Sequence, residues 1–265
     1  MSGAALRAHP GGAFNDASPP ARAAALAGRR RSGMLDRPQP VLWSLSVIAV
    51  RILASVALAY LLGSIPFGVW LCRLRGKDPR VVGSGRTGGT NVYRTAGLPT
   101  AILTIGCDLL KGYLAVLAAE WLVPATTYGG AVGWAMALAA LSVIIGHNYS
   151  LFLGFRGGAG STPNFGASLA FDPIVSVIGL AGAALGLFAI RVASIASLIL
   201  STVLLLGLGW RSLDGSLPPA TLVYAVGQMV IVVWALRPNI QRLRDGTERR
   251  ITFGRRAIRE GTDGA

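Results

Sequence analysis

The sequence predicts an all-α, polytopic integral membrane protein with about seven transmembrane helices, one of them short, joined by glycine-rich polar loops. Three observations predict it. Of 265 residues, 52% are apolar and only 14% charged, whereas a soluble domain carries about 25% charge. The apolar residues fall in runs of roughly 20, the length of a helix that crosses a bilayer. The 23 arginines and 2 lysines behind the net charge of +14 collect at the termini and in the polar loops, leaving those runs nearly uncharged. Such a distribution points to anionic lipid head groups or an anionic substrate rather than nucleic acid. No aromatic-interleaved basic stripe or zinc-finger spacing supports a nucleic-acid module.

The remaining composition narrows the chemistry. Cys72 and Cys107 both fall inside apolar runs and read as packing residues, not as a disulfide or metal pair. Two histidines, His9 and His147, cannot build a His-rich metal centre, and neither a metal nor a cofactor is expected. Residues 1–40 show no sustained periodicity and no secretory core, so they are expected to be a disordered basic tail, with Met34 as an alternative start. The membrane domain is expected over 41–238 and a basic tail over 239–265.

In chain order, residues 41–53 are apolar apart from Arg51 and read as an interfacial lead-in continuous with the first helix. The first clear span covers 54–74. Pro66 should kink it, which membrane helices tolerate when neighbours satisfy the freed backbone group. The second span, 98–120, carries Asp108 and Lys111. Ionisable groups at this depth face the protein interior or water, and a spacing of three puts them on one helix face where they can pair. They are either a structural ion pair or part of a site wall. A third span, 130–150, ends in Gly146-His147-Asn148-Tyr149, where His147 is either an interfacial hydrogen-bonded residue or a further site candidate. A second small polar loop, Phe155 to Thr162, follows, and then a short apolar piece, 162–171, stopped by Asp172-Pro173. Three more spans are expected at 174–190, 192–210 and 220–237.

Orientation follows from the arginines and lysines. With seven spans the 73–97 loop, the 151–161 loop, Arg191 and the C-terminal tail share one side, which is therefore expected to be cytoplasmic. With six, the two most basic segments would lie on opposite faces.

The stretch Gly83-Ser84-Gly85-Arg86-Thr87-Gly88-Gly89-Thr90-Asn91 organises the rest. Four glycines in nine residues allow backbone angles and approaches that side chains block. Successive N–H groups in such a turn can hold an anion, and Arg94 follows with a planar donor fork suited to phosphate. The plainer reading is a flexible connecting loop.

These motifs, with Leu62 to Gly68, Asp108-Leu109-Leu110-Lys111-Gly112, Gly146-His147-Asn148, Phe155-Arg156-Gly157-Gly158 and Asn239 to Glu248, collectively resemble the PlsY-type glycerol-3-phosphate acyltransferases, in collinear order over about 54–250. The resemblance implies a bacterial seven-span inner-membrane enzyme. Such enzymes transfer an acyl group from acyl phosphate to the 1-hydroxyl of glycerol 3-phosphate, giving lysophosphatidic acid. It implies Ser84, Arg94 and Asn239 as catalytic residues. Gly83, Gly85, Arg86, Thr90, Asn91, Gly157, Gly158, Gly160 and Ser194 would bind substrate phosphate, with Asp108, Lys111, His147 and Arg156 as further candidates. The implied partners are acyl phosphate, glycerol 3-phosphate and membrane lipids; the sequence leaves the oligomeric state open, a monomer among the alternatives.

The sequence departs from the family pattern in four places. Ala159 stands where the second loop has lysine, Arg86 where the first loop has asparagine, Leu236 where the closing motif has histidine, and Pro238 where an acidic residue is common. Arg86 or Arg156 would have to supply the missing cation. Two other readings compete: a catalytically degenerate relative that binds lipid, phosphate or a protein partner, and a small transporter. Whether Arg86 shares a pocket with Arg94 separates the enzyme from the degenerate relative.

Overall fold

The computed structural model describes residues 41–251, so the tail expected at 1–40 lies outside the described residues, and the compact body begins at Ser46. The described residues form helices and turns with no strand. The lead-in is helical: α1 runs Val41–Ser64 and breaks before Pro66, whose missing N–H and ring end a helix, and α2 resumes at Phe67–Arg73. Lys111 Nζ donates to the Ile65 carbonyl at this break (3.0 Å), so a neighbour does satisfy the interrupted backbone. After the first loop come α3 (Gly89–Ala96) and α4 (Leu98–Leu122), separated by Gly97 at φ 85°, a left-handed angle that glycine adopts without cost. A single turn, α5 (Ala125–Tyr128), precedes α6 (Ala131–Asn148).

The second loop leads into α7 (Ser161–Leu169), then α8 (Pro173–Ile190), α9 (Ala193–Leu213) and α10 (Ala220–Arg244). The Asp172 carboxylate accepts from the Val175 N–H at 3.0 Å, capping α8 where the sequence places its stop. Six stretches are long and apolar enough to cross a membrane, α1 and α2 counting together as Leu45–Arg73. The short seventh element expected at 162–171 is α7. At about 1.5 Å per residue its nine residues cover less than half of a hydrocarbon core about 30 Å thick. It nonetheless serves as a return leg, because the chain reaches the same end of the bundle before α7 and again after α8.

A half-length helix in a membrane needs its own attachments. Glycines let it come close to α4: a Cβ at Gly166 would lie 2.0 Å from the Leu109 carbonyl oxygen, and one at Gly112 would lie 2.1 Å from that of Pro163. Small residues that let backbones touch are the usual device for packing helices in lipid. A polar cluster adds direction. Asn164 Nδ2 donates to Gln228 Oε1 (2.8 Å), Tyr224 Oη donates to Asn164 Oδ1 (2.8 Å), and Gln228 Nε2 donates to the Ser201 carbonyl (2.9 Å). All four residues are fully buried, and together they tie α7 to α9 and α10. Phe171 stacks on Tyr224 beside them, with ring centroids 4.8 Å apart.

α10 is longer than the span expected at 220–237. It runs on to Arg244 with Pro238 inside it, so the domain boundary expected at 239 lies within a helix. That extension carries Asn239 and Arg242 to the end of the bundle where the site lies.

The α4–α7 crossing has a direct test. Gly166→Val, which drives a side chain into the Leu109 backbone, is expected to destabilise the protein by about 1–3 kcal/mol or prevent folding. Gly106→Ala, at a position with nothing within 4 Å of the new methyl, should leave the melting temperature in detergent unchanged or slightly higher.

Candidate active site

A cavity of about 150 Å³ opens at the end of the bundle where both glycine-rich loops, the start of α9 and the end of α10 meet. Its wall includes Ser84, Arg86, Thr90, Asn91 and Arg94 from the first loop and α3, and His147 and Gly160 from α6 and the second loop. Ser194 and Asn239 come from α9 and α10. Sequence reading named all nine. Two parts of the wall it passed over are the C-terminal segment, with Glu248 and Arg249, and the hydroxyls of Ser161, Thr162 and Ser197. Glu248 stands inside the closing motif, but nothing in the spacing indicates that the chain turns back over the cavity after α10.

That turn is made by the backbone. Thr247 N donates to the Arg242 carbonyl and Ile251 N to the Arg191 carbonyl (2.8 and 2.7 Å), and the Arg249 guanidinium donates to the Gly83 carbonyl. Glu248 is thereby set against the wall. Asn239 Nδ2 donates to its Oε1 (2.6 Å), Arg242 Nε to its Oε2 (2.8 Å), and Ser194 Oγ to Oε1 (3.2 Å). Burial alone would raise its carboxyl, but these donors and the charge of Arg242 outweigh burial and hold it below the usual glutamate range.

Arg86 and Arg94 line the same cavity. One Arg86 nitrogen donates to the Ala235 carbonyl of α10 (2.6 Å), which fixes the side chain across the site. Burial and then the charge of Arg242 pull Arg86 below its ordinary value. Burial and then Arg249 do the same to Arg94, and Glu248 acts against both shifts. Arg156, by contrast, is exposed and is not part of the cavity wall, so it does not stand in for the lysine absent at Ala159.

Within the first loop the amides at its start are used by the turn itself, whereas Gly89 and Thr90 at its end line the cavity. The Ser84 N–H is taken by Asn91 Oδ1 (3.0 Å) and the Gly85 N–H by the Val82 carbonyl (3.0 Å). Asn91 Nδ2 faces the carbonyls of Pro79, Val82 and Arg86 (2.6, 3.0 and 2.9 Å), so this side chain shapes the loop. Gly83, whose missing Cβ would sit on Asn91 Oδ1, and Gly85 serve the same turn. Free donors come instead from helix starts. The first residues of α3 (Gly89, Thr90), α7 (Ser161, Thr162) and α9 (Ala193, Ser194) all line the cavity. None of these helices has a side-chain cap. An uncapped helix N-terminus offers unpaired N–H groups and the positive end of the dipole.

Gly157 and Gly158 pack behind the wall. A Cβ on Gly158 would lie 2.0 Å from His147 Nε2, and one on Gly157 would lie 2.0 Å from the His147 carbonyl oxygen. Asp108 and Lys111 also sit behind it. Lys111 Nζ meets Asp108 Oδ1 at 2.7 Å and His147 Nδ1 at 3.0 Å, and all three side chains are almost wholly buried. Through Lys111 this cluster links α4 to α6 and to the Pro66 break.

A family model described as glycerol-3-phosphate acyltransferase matches residues 53–246. The chain belongs to this acyltransferase family. It is 39% identical over 198 residues to the glycerol-3-phosphate acyltransferase of Roseiflexus sp. (strain RS-1), covering 75% of this chain and 94% of that one. Against the Geobacter sulfurreducens enzyme it is 41% identical over 195 residues, covering 73% and 94%. Among solved structures it is similar to PlsY, an integral membrane glycerol 3-phosphate acyltransferase, in its glycerol 3-phosphate form. There the TM-score is 0.67 and the identity 34%, covering 76% of this chain and 96% of that one. The lysophosphatidic acid form gives 0.64 and 31%, covering 79% and 98%. Within the acyltransferase family, then, Ala159 and Leu236 do fall on the cavity wall, and so does Arg86.

Two measurements check this construction. Asp108→Ala strands Lys111 in the bundle and is expected to cost about 3–5 kcal/mol, whereas the double change Asp108→Leu with Lys111→Met should cost much less; unfolding in detergent reads both. The contribution of Glu248 is full above its ordinary value of 4.5 and is lost as pH falls through its lowered folded value. Glu248→Gln should therefore flatten the acid limb of the melting temperature against pH while lowering stability at neutral pH.

Proposed function

We propose that the cavity is the site of acyl transfer from acyl phosphate to the 1-hydroxyl of glycerol 3-phosphate, yielding lysophosphatidic acid and inorganic phosphate. Both reactants carry phosphate, so a site for them must hold two anions close together. The observation that carries the reading is the meeting of three uncapped helix N-termini with Arg86, Arg94, Arg242 and Arg249 around one small cavity. Helix starts and guanidinium forks are the two protein groups best matched to phosphate. Against them stands a single carboxylate, Glu248, already engaged by Asn239, Arg242 and Ser194. Arg86 and Arg94 share this cavity, which supports a phosphate site rebuilt around Arg86 over the degenerate-relative reading that a solvent-facing Arg86 would have favoured.

The chemistry asks little of the protein beyond placement. The glycerol hydroxyl oxygen forms a bond to the acyl carbonyl carbon, the bond from that carbon to the phosphate oxygen breaks, and the hydroxyl proton leaves on the released phosphate. Acyl phosphate is already activated, so orienting the two reactants and stabilising charge on the carbonyl oxygen are the useful contributions. Arg94 and the α3 start would hold one phosphate, and Ser194 with the α9 start the other. Ser84 and Thr90 would donate from the loop side. Asn239 Oδ1, buried without a donor, is available to the acceptor hydroxyl. Arg86, anchored on Ala235, supplies the cation that Ala159 lacks. Ile105, Leu236 and Ala159 give the cavity an apolar wall beside which the acyl carbonyl can lie.

Positive charge on the loop and tail segments favours the cytoplasmic face of a bacterial plasma membrane for this end of the bundle. The test is acyl transfer by purified protein in detergent, given acyl phosphate and labelled glycerol 3-phosphate. Arg86→Ala is expected to lower turnover about 100-fold, the usual scale for a lost transition-state donor, with Arg86→Lys recovering part of it. Turnover unchanged by Arg86→Ala, or transfer supported only by acyl thioesters, would overturn the proposal.

A further inference from the structure

α10 has a second chemistry on the side away from the cavity. Asn239 and Arg242 line the site, whereas Arg237, Gln241 and Arg244, at i, i+4 and i+7, share one face about half a turn round the helix. All three are exposed. Toward the membrane interior that face continues as Trp234, Val233 and Val230, and these six residues border one open groove. Trp234 is 59% and Val230 62% exposed. The Arg237 guanidinium lies over the Trp234 ring, 4.2 Å from its centroid, which holds the cation at the level of the indole. Among the described residues neither Arg237 nor Arg244 pairs with a carboxylate. Pro238 lies between them in the helix and has no N–H to donate to the Trp234 carbonyl.

We propose that this groove binds an anionic glycerophospholipid. Its phosphate would sit between Arg237 and Arg244, which two turns hold about 10 Å apart along the axis, and Gln241 would donate to the head group. An acyl chain would run down Trp234, Val233 and Val230. The order of groups matches a lipid in a leaflet: paired cations outermost, an amphipathic indole at the interface, then aliphatic side chains. Charge decides the lipid class, because a zwitterionic head brings its own ammonium against the two arginines. It also argues against a second copy of this chain, since a two-fold contact through this face would bring like charges together.

The experiment uses the full chain in detergent micelles, titrated with phosphatidylglycerol or with phosphatidylcholine of the same acyl chains, and counts bound lipid by native mass spectrometry. A preference for phosphatidylglycerol of about twenty-five-fold is expected, from roughly fivefold for each arginine near a charged head group, and it should weaken as salt rises. Arg237→Gln with Arg244→Gln should reduce it to near parity. Arg237→Lys with Arg244→Lys should keep most of it, and acyl transfer by each variant shows that the cavity is still assembled. Equal retention of the two lipids by the native chain, or a preference that survives the double glutamine change, would overturn the proposal. So would a dimer lost in that double variant, which would give the face to a second copy.

Discussion

The arrangement around Glu248 is the interaction on which the site depends. Four arginines and three helix N-termini gathered at one cavity repel one another, and burial weakens the water that would screen them. A single carboxylate set among them offsets that repulsion most where it also carries hydrogen bonds. Glu248 takes donors from α9 and α10 at once, through Ser194, Asn239 and Arg242. It therefore fixes two helix ends relative to each other while lowering the local potential enough for the arginines to share the space. Its position is itself imposed by the backbone turn that brings Ile251 onto the Arg191 carbonyl.

Beneath this charged end the bundle solves a different problem: fixing loop ends where lipid supplies no hydrogen bonds. The solution takes two forms. Glycine pairs let backbones meet where α1 crosses α6, through Gly63 and Gly146, and where α4 crosses α7, through Gly112 and Gly166. Buried polar groups are then consumed between helices: Lys111 by Asp108, His147 and the Ile65 carbonyl, and Asn164 by Gln228 and Tyr224. Each contact lies within a few turns of a helix terminus at the cavity, so interior packing becomes positional accuracy at the site.

Much of this was legible in the sequence because membrane helices announce themselves by length and by the absence of charge. The spans, the interruption at Pro66, the stop at Asp172-Pro173 and the Asp108–Lys111 pairing all follow from local rules. The short α7 was legible too, through the charge placement that demanded an odd number of crossings. What local rules could not reach depends on partners distant in sequence. That Asn91 spends its amide on the carbonyls of Pro79, Val82 and Arg86 requires knowing how the loop closes. That Gly157 and Gly158 make room for His147, and that Arg249 reaches the Gly83 carbonyl, requires the fold. The extension of α10 through Pro238 was missed because proline in a soluble helix ordinarily ends it, while at a bundle end its neighbours already hold the helix.

Two of the four departures from the family pattern, Ala159 and Arg86, form one exchange in the proposed site. Ala159 removes a flexible ammonium from the second loop, and Arg86 brings a guanidinium in from the first. The exchange is not neutral: a lysine is a mobile point charge, whereas Arg86 is a planar fork with one nitrogen fixed on the Ala235 carbonyl. The remaining donors then have a set direction, which favours a planar or tetrahedral oxyanion in one orientation over a freely placed phosphate. Leu236 is buried on the same wall, next in sequence to Ala235, whose carbonyl anchors Arg86. A histidine at 236 would place a titratable side chain beside the fixed guanidinium, whose charge would disfavour the protonated imidazole. With leucine there, His147 is the one histidine left on the wall. In the proposed site the charge then rests mainly on arginines, with one carboxylate, Glu248, held ionised among them.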